Sequence, residues 1–270
     1  MNFTKIGGSF DFSTSEETHK QIQELERIIS FEKDNIYFAL SQASMKGNIL
    51  DLGCGPGSTT EIIAKFDGCR LVVGIDREPL FIEYASQKNS SYKIEYIVGD
   101  CYNIPAEENT FDCCYARYLF QHLKYPLRAL SEIKRVVKPH GVIGIHDFDY
   151  DLLITNPEIP ELKKLKRINA QLKTFQGGDA YVGRKLESYF KRAGISNVST
   201  IFTFTDNRNN KDFMSLFYNP ELDNKAFLVN NGLFSEAEYA QLNSSVHNFI
   251  KSNDSYFEIG NYFVYGINIK

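Results

Sequence analysis

The stretch Asn48-Ile-Leu-Asp-Leu-Gly-Cys-Gly-Pro-Gly-Ser58 joins an apolar run to a glycine-rich turn and then to a helical pattern. Ile49 and Leu52 are typical of a buried strand, and the three glycines allow the backbone to turn sharply and a ligand to approach closely. Ser58 and Glu61 have the spacing of a helix-capping box. The stretch therefore predicts a small-molecule site at the end of a strand.

Strand and helix patterns alternate downstream of this turn. The predicted strands are 48–52, 70–75, 92–98, 111–116 and 141–147, and the predicted helices between them are 59–66, 79–87 and 126–137. This alternation of strands and helices predicts an α/β fold with an open, mostly parallel sheet and helices on both faces. In such sheets ligands bind beyond the carboxyl ends of the strands, where the glycine turn lies.

The segments on either side of this core predict a single domain with additions. Residues 1–14 read as an irregular arm, and one long or two shorter helices follow up to Gly47, so residues 1–47 are predicted to form an N-terminal helical cap. Beyond residue 151 the pattern predicts helices 161–173 and 184–192, a strand 198–205, helical pieces within 211–252 and a terminal strand 262–270. We expect one domain over 48–270, with lid insertions at about 151–180 and 206–255.

Composition and charge narrow the function classes. The 270 residues are 43% hydrophobic and 24% charged, as in ordinary globular proteins, and the formal net charge of -4 gives no global basic surface, so nucleic-acid binding is unlikely. The five cysteines are odd in number and lack C-x-x-C spacing, which predicts reduced thiols. Because no stretch approaches the roughly 18 apolar residues of a membrane span, we expect a soluble cytoplasmic protein. Oligomeric state is left open.

Acidic residues mark three further strand termini. Asp76 ends the second strand, where a carboxylate can accept hydrogen bonds from ribose hydroxyls. Gly99-Asp100 ends the third strand and can meet an adenine amino group, and Phe111-Asp112 begins the fourth. A glycine turn alone serves several nucleotides, but these acids in series make a cofactor site the better interpretation.

These motifs, in this order, resemble those of class I S-adenosylmethionine-dependent methyltransferases. The matching segments are 49–58, Val73-Gly-Ile-Asp76, Gly99-Asp100, Phe111-Asp112 and Arg135-Val-Val-Lys-Pro-His-Gly-Val142, within about residues 15–205. The resemblance implies a Rossmann-like sheet of seven strands whose last strand is antiparallel, for which residues 262–269 are suited. One departure is His140, where the Pro-Gly-Gly form of the late turn has glycine; we expect it to alter a turn rather than the chemistry.

The resemblance also implies the cofactor, its ligands and the kind of acceptor. In that family the first motif holds the methionine part of S-adenosylmethionine, the acid matching Asp76 holds the ribose, and the acid matching Asp100 lies at the adenine. The predicted cofactor-binding residues are Asp51, Gly53, Cys54, Gly55, Gly57, Asp76, Arg77, Asp100, Cys101 and Arg117. For Arg117 a surface ion pair is the alternative. Arg117-Tyr-Leu-Phe-Gln-His-Leu123 and Tyr181-Val-Gly-Arg184 are similar to a subgroup acting mainly on small molecules.

Two histidines are candidate bases, needed only if the acceptor has a proton to lose. His122 follows the fourth strand and His146 the fifth, and an unperturbed histidine pKa of about 6.5 suits proton removal. A structural hydrogen-bonding role is the alternative for a lone histidine. Asp147 and Asp149 could face the acceptor or ligate a hard metal, but no other spacing supports a metal, and none is predicted.

Two other functions stay open. A nicotinamide-dependent oxidoreductase also uses a glycine turn and a distal acid, but its G-x-G-x-x-G pattern requires glycine at position 58, which here is serine. A non-catalytic protein could keep the cofactor site of this fold without methyl transfer, because a fold does not fix an activity.

Overall fold

A computed structural model describes residues 15–89, 91–208, 213–214 and 225–270. The helices are α1 (Ser15–Gln42), α2 (Ser58–Ala64), α3 (Pro79–Lys88), α4 (Pro126–Val136), α5 (Pro160–Phe175), α6 (Leu186–Arg192), α7 (Lys225–Asn230) and α8 (Glu236–Lys251). The strands are β1 (Gly47–Leu52), β2 (Cys69–Asp76), β3 (Ile94–Val98), β4 (Phe111–Arg117), β5 (Val137–Asn156), β6 (Ile195–Asp206) and β7 (Tyr256–Asn268). The predicted arm 1–14 and parts of the insertion 206–255 lie outside the described residues.

All seven strands form one sheet in the order β3-β2-β1-β4-β5-β7-β6. The pairs from β3 to β5 are parallel, whereas β7 lies between β5 and β6 and is antiparallel to both. The predicted seven-stranded sheet with an antiparallel last strand is confirmed. The sheet reverses its order beside β1, so the carboxyl ends of β1 and β4 open onto the crevice where such sheets bind ligands.

Helices cover both faces of the sheet, as the apolar strand runs predicted. One face packs α1 and α2 over a core that includes Ile36, Leu40 and Ile63, and the other packs α4 and α6 over a core that includes Leu130, Ile133 and Phe190. Along β4, the buried Cys113 faces the first core and Cys114 the second. The central strands β1 and β4 are therefore buried on both sides, which is why their sequences are largely apolar runs.

A third core lies outside the sheet layers. Helices α5 and α8 pack together through buried residues such as Leu165 and Leu242, with Phe257 and Ile259 of β7 beneath them. Ile28 and Phe31 of α1 pack against the same cluster. The described parts of the two insertions thus share one hydrophobic core with α1; their role as a lid stays a prediction.

The capping box predicted at Ser58 is wrong. The residue that caps α2 is Gly57, with φ 87°, and no side chain caps the helix. The Ser58 hydroxyl is buried without a hydrogen-bond partner, while Glu61 pairs instead with Lys88 of α3 at 3.2 Å. Because Gly57 occupies the N-cap position with a φ of 87°, Ser58 is the first residue inside the helix. Its side chain is therefore not in the position from which an N-cap residue caps the helix.

The fifth strand is much longer than residues 141–147. It runs from Val137 to Asn156, with a register shift against β7 between Phe148 and Leu153. The segment 151–156, predicted as the start of an insertion, is therefore strand. The earlier end of β5 contains His140 at φ 63°, a left-handed conformation that glycine adopts at lower cost, so the departure from the family pattern does fall on a backbone turn.

All five cysteines are free thiols, as predicted from their number and spacing. Within the described ranges, no helix has the length and apolar character needed to cross a membrane.

Candidate active site

The glycine turn after β1 has a backbone that only glycines adopt readily. Gly53, Gly55 and Gly57 have φ values of 76°, 53° and 87°. A Cβ built on Gly53 would meet Leu119 at 3.1 Å, and one built on Gly57 would meet the hydroxyl of Tyr96 at 2.4 Å. On Gly55 it would meet nothing within 4 Å. The turn thus leaves an open space above Gly55, where a ligand can approach the backbone.

Asp76, at the end of β2, holds this turn in place. Its Oδ2 accepts the Gly55 N–H at 2.9 Å, and its Oδ1 accepts the Glu78 N–H at 3.0 Å. Burial raises the pKa of Asp76, and the two backbone donors oppose that rise. Each carboxylate oxygen keeps a second lone pair, so the side chain can accept ribose hydroxyls while it supports the turn.

Arg77, Asp100 and Cys101 lie together at the same edge of the sheet. The exposed Asp100 accepts the Tyr102 N–H at 2.8 Å, which orients the short turn after β3. Burial and the Asp100 carboxylate raise the pKa of Cys101 to about 12, so this thiol is no nucleophile. The positive charge of Arg77 lowers the pKa values of Asp76, Cys101 and His122, in each case as a minor cause beside burial.

Asp51 and Cys54 lie beneath the turn rather than on its open side. Asp51 is buried and accepts the Thr60 hydroxyl at 2.6 Å, and burial raises its pKa to about 7. Cys54 is buried against Gly74 of β2, and burial raises its pKa well above the usual range. We expect both side chains to stabilise the turn, and we expect the backbone of the turn to make the direct contacts with the cofactor.

Arg117 is buried, so the surface ion pair considered as an alternative is wrong. It forms an ion pair with Glu32 of α1, and both side chains are at most 5% exposed. The guanidinium also lies over the Tyr118 ring at 3.9 Å, and the Tyr118 hydroxyl donates to Glu32 at 2.6 Å. This predicted cofactor-binding side chain is thus held by a carboxylate of the protein, and its role in the cofactor set stays a prediction.

His146 does not have the geometry of a catalytic base, and that prediction is wrong. Its ring is 1% exposed, and its two nitrogens lie 2.8 Å from the Tyr115 hydroxyl and 3.0 Å from the Thr203 hydroxyl. Burial, with the nearby charge of Arg117, lowers the pKa of His146 to about 3. A neutral ring with both nitrogens already partnered has none to offer an acceptor.

His122, in contrast, lies at the surface of the site. It is the last residue of a 3-10 turn, Phe120–His122, directly after β4, and its side chain is exposed. Desolvation by the protein around the ring, with the charges of Lys173 and Arg77, lowers the pKa of His122 to about 3. The ring is therefore neutral near pH 7 and can accept a proton, but a pKa this low makes it a weak base.

Behind this turn lies a buried polar cluster that sequence patterns did not reveal. Lys173 of α5 donates to Gln121 at 2.5 Å, and the Gln121 N–H donates to Asp147 of β5 at 3.0 Å. Further along β5, Asp149 is fully buried and forms a bidentate ion pair with Arg184. The two acids predicted to face the acceptor or a metal are thus partnered inside the protein.

The described part of the chain contains no group of three or more His, Cys, Asp or Glu side chains placed to hold a metal ion. Two cavities of about 700 and 400 Å³ border α5 and include Lys163 in their walls, and neither includes a residue of the glycine turn.

Comparison with known proteins identifies the domain. The family described as Methyltransferase domain matches residues 50–145, which contain the glycine turn, Asp76, Asp100 and His122. Residues 50–145 are similar to that domain, and the fold of the described residues is that of the class I methyltransferases. This confirms the resemblance drawn from the motifs, and the match ends where β5 begins its extension toward α5.

The proteins whose sequences resemble this chain include sterol methyltransferases and an uncharacterized methyltransferase. A sterol 24-C-methyltransferase of Schizosaccharomyces pombe is 37% identical over 111 residues, which are 38% of this chain and 29% of that enzyme. An uncharacterized methyltransferase of the same yeast is 27% identical over 193 residues, covering 67% of this chain and 69% of that protein. The chain spans less than half the length of the sterol methyltransferases it matches.

A solved structure shares the fold over the whole chain. It is phosphoethanolamine N-methyltransferase 2 of Haemonchus contortus in complex with phosphomonomethylethanolamine and S-adenosylhomocysteine. The TM-score is 0.60 at 20% identity, covering 100% of this chain and 60% of that one. At this identity the likeness supports the methyltransferase fold and leaves the acceptor open.

Proposed function

We propose that this protein is an S-adenosylmethionine-dependent methyltransferase that acts on a small-molecule acceptor. The observation that carries the proposal is the open space above Gly55, bounded by a turn that Asp76 fixes through the Gly55 N–H at 2.9 Å. Backbone N–H groups at the start of α2 suit the cofactor's carboxylate, and Asp76 suits its ribose. The family match over residues 50–145 supports the same cofactor.

When bound, the cofactor would supply a methyl group on a sulfonium. The acceptor's nucleophilic atom would bond to that methyl carbon as the carbon–sulfur bond breaks, with S-adenosylhomocysteine as the leaving group. The protein's main contribution is alignment and exclusion of water, and good alignment is worth up to about 7 to 11 kcal/mol. His122 is the candidate base, because its side chain is exposed and it lies just after β4 at the carboxyl edge of the sheet. Asp100 and Cys101 are the candidates for the adenine end.

The small-molecule acceptor rests on the relatives. The sterol and phosphoethanolamine methyltransferases are named for acceptors of small size, though of unlike polarity. Neither name transfers an acceptor to this chain, whose third core around α5 and α8 lies outside the family match. A cytoplasmic location stays a prediction, supported by the free thiols.

The glycine turn offers a direct test by calorimetric titration with S-adenosylmethionine. Gly55→Val fills the open space and Asp76→Ala removes the support of the turn, so both should abolish measurable binding. Gly232→Val is the matched control, because Gly232 also has a positive φ, 67°, and nothing within 4 Å of a built Cβ. Unchanged affinity in Gly55→Val and Asp76→Ala would overturn the proposal.

The two alternatives have separate tests. The strand order with β7 between β5 and β6 differs from the order 3-2-1-4-5-6 of dinucleotide-binding sheets, which argues against an oxidoreductase. Stabilisation by a nicotinamide cofactor and not by S-adenosylmethionine in a thermal-shift assay would restore it. Tight binding without production of S-adenosylhomocysteine across a broad acceptor panel would favour a non-catalytic protein.

A further inference from the structure

Lys173 is a buried lysine at the carboxyl edge of the sheet. It lies in the last turn of α5, and only 4% of it is exposed. Lysine is almost never fully buried unless it is paired, because an ammonium loses its hydration inside a protein. Its contacts should therefore be important for how α5 sits over the sheet.

The partner of Lys173 is the residue next to His122. The Lys173 ammonium donates to the Gln121 Oε1 at 2.5 Å, and Gln121 itself is 4% exposed. Gln121 also accepts the Asp179 N–H at its carbonyl oxygen, at 2.9 Å, and its own N–H donates to Asp147 at 3.0 Å. The chain after α5 closes tightly on this contact, since a Cβ on Gly178 would lie 2.5 Å from the Gln121 carbonyl oxygen.

Each of these contacts joins segments that are far apart in the sequence. Lys173 and Gln121 are 52 positions apart, and Gln121 and Asp147 are 26 apart. Together they tie α5 and the 3-10 turn Phe120–His122 to β5. The position of the His122 ring therefore depends on a contact made by the neighbouring side chain.

We propose that Lys173 is a positioning residue of the acceptor site, whose ammonium clamps Gln121 and so fixes the turn that presents His122 to the acceptor. The role rests on the proposed function, in which His122 faces the acceptor. Lys173 acts through Gln121 and does not touch the reacting atoms.

Charge in the cluster also links Lys173 to His122. The groups that face Lys173 are the Asp147 carboxylate, the ring of Tyr150 at 5.9 Å from the ammonium, and His122. Burial lowers the pKa of Lys173, and the Asp147 charge opposes that change. The Lys173 charge in turn lowers the pKa of His122, as expected for two like charges in proximity.

This charge coupling allows a test that needs no acceptor. In Lys173→Met, which keeps the length of the side chain and removes its charge, the midpoint of the His122 titration followed by NMR should shift upward. Lys173→Arg should keep the midpoint low. Lys164→Met is the matched control, since Lys164 lies on the same helix, pairs with Glu238 at the surface and should leave His122 unchanged.

Amide hydrogen exchange tests the clamp in a second way. Gln121→Met removes the acceptor of the Lys173 hydrogen bond while both charges remain, and the amides of residues 119–123 should exchange at least about tenfold faster. This variant keeps the proposal testable if Lys173→Met fails to fold. Calorimetric affinity for S-adenosylmethionine should stay within about twofold of wild type in every variant, because the glycine turn is not involved.

The outcomes separate this inference from the proposed function. An unshifted His122 midpoint in a folded Lys173→Met, or unchanged exchange in Gln121→Met, overturns the clamp even where the cofactor binds normally. Failure of the wild-type protein to bind S-adenosylmethionine overturns the proposed function, while a shifted midpoint would still show that Lys173 and His122 are coupled.

Discussion

The two halves of the carboxyl edge of the sheet are built in different ways. Around β1, β2 and β3 the structure relies on the backbone, with left-handed glycines and an Asp76 carboxylate that accepts two N–H groups. Around β4 and β5 it relies on side chains, with the Glu32–Arg117 ion pair and the Lys173–Gln121 contact. The first half contains Gly55 and Asp76 of the proposed cofactor site, and the second contains His122, the candidate base of the proposed acceptor site.

This difference explains why a sequence motif marks only one half. The contacts of the glycine turn join residues about 20 positions apart, as in Gly55 and Asp76, which is a separation that a sequence motif can describe. The Tyr118 hydroxyl instead contacts Glu32, 86 positions away, and Asn261, 143 positions away. A site formed by the backbone can bind the same cofactor in many sequences. A site formed by side chains can change its residues to suit a different acceptor.

The sharpest test of the comparison is the buried ion pair of the second half. Arg117→Met should lower the free energy of unfolding by about 3 to 5 kcal/mol, because it leaves the buried Glu32 carboxylate without its counter-charge. Urea unfolding measures the change. Adding Glu32→Gln removes the stranded charge and should recover part of the loss. A cost below about 1 kcal/mol would show that the second half does not depend on this pair.

The next prediction concerns the loss of stability at low pH that is due to His146. Because the folded pKa of His146 is lowered to about 3, the unfolded chain binds a proton that the folded chain does not between that value and the ordinary pKa of about 6.5. Stability should therefore fall as the pH falls through this window, by about 1.4 kcal/mol per pH unit, or roughly 2 kcal/mol at pH 5.

Urea unfolding at several pH values isolates this term by comparison with His146→Gln. The variant should lose the slope between about pH 4 and 6 that is due to His146. Equal slopes in the two proteins would contradict the assignment of a buried neutral imidazole.

Substitutions of two glycines in the first half should have different effects on stability and on cofactor binding. Gly57→Ala should cost about 2 kcal/mol, because the new Cβ combines a left-handed φ with close contacts to Tyr96 at 2.4 Å and Ala85 at 2.9 Å. Gly55→Ala should cost only about 1 kcal/mol but weaken S-adenosylmethionine binding more, since its Cβ enters the open space. Urea unfolding and calorimetric titration of both variants measure the two effects. Equal losses of binding in the two variants would contradict a ligand space above Gly55.

The smallest effect belongs to an ion pair of α1 in the first half. Lys88 pairs with Glu26 at 2.6 Å, but its side chain is 36% exposed. Lys88→Met should change the free energy of unfolding by less than about 1 kcal/mol, as is usual for exposed pairs. Glu26 and Glu32 lie on the same helix, so the two variants Lys88→Met and Arg117→Met form a matched pair in one unfolding experiment. A cost for Lys88→Met as large as that for Arg117→Met would remove the contrast between the halves.

The sequence predicts the fold well because periodicity is local. The elements over residues 48–136 match their apolar patterns within two or three residues, and α5 begins within one residue of its predicted start. The length of β5 escaped prediction, because its extension to Asn156 depends on pairing with β7, about 100 positions further on. The capping box at Ser58 failed because the conformation of Gly57 already provides the start of α2.

The site could be predicted in part, for the same reason. The glycine turn and Asp76 meet as their spacing indicates. His122 and His146 looked equivalent, each following a strand, and only tertiary contacts distinguish the exposed ring from the one bonded to Tyr115 and Thr203. Lys173 was part of a lysine-rich helix in the sequence, and nothing local separates it from the exposed lysines beside it.

The long strands β5 and β7 have a mechanical consequence. Both continue past the register shift at Phe148 and Leu153, and the ladder from Leu153–Ile259 to Asn156–Tyr256 lies next to the third core. The helices α5 and α8 therefore pack against the extended parts of β5 and β7, which are continuous with the rest of the sheet. A hinge between the two parts would have to break that ladder, so we expect any opening to occur by shear, with the helices sliding over a rigid base.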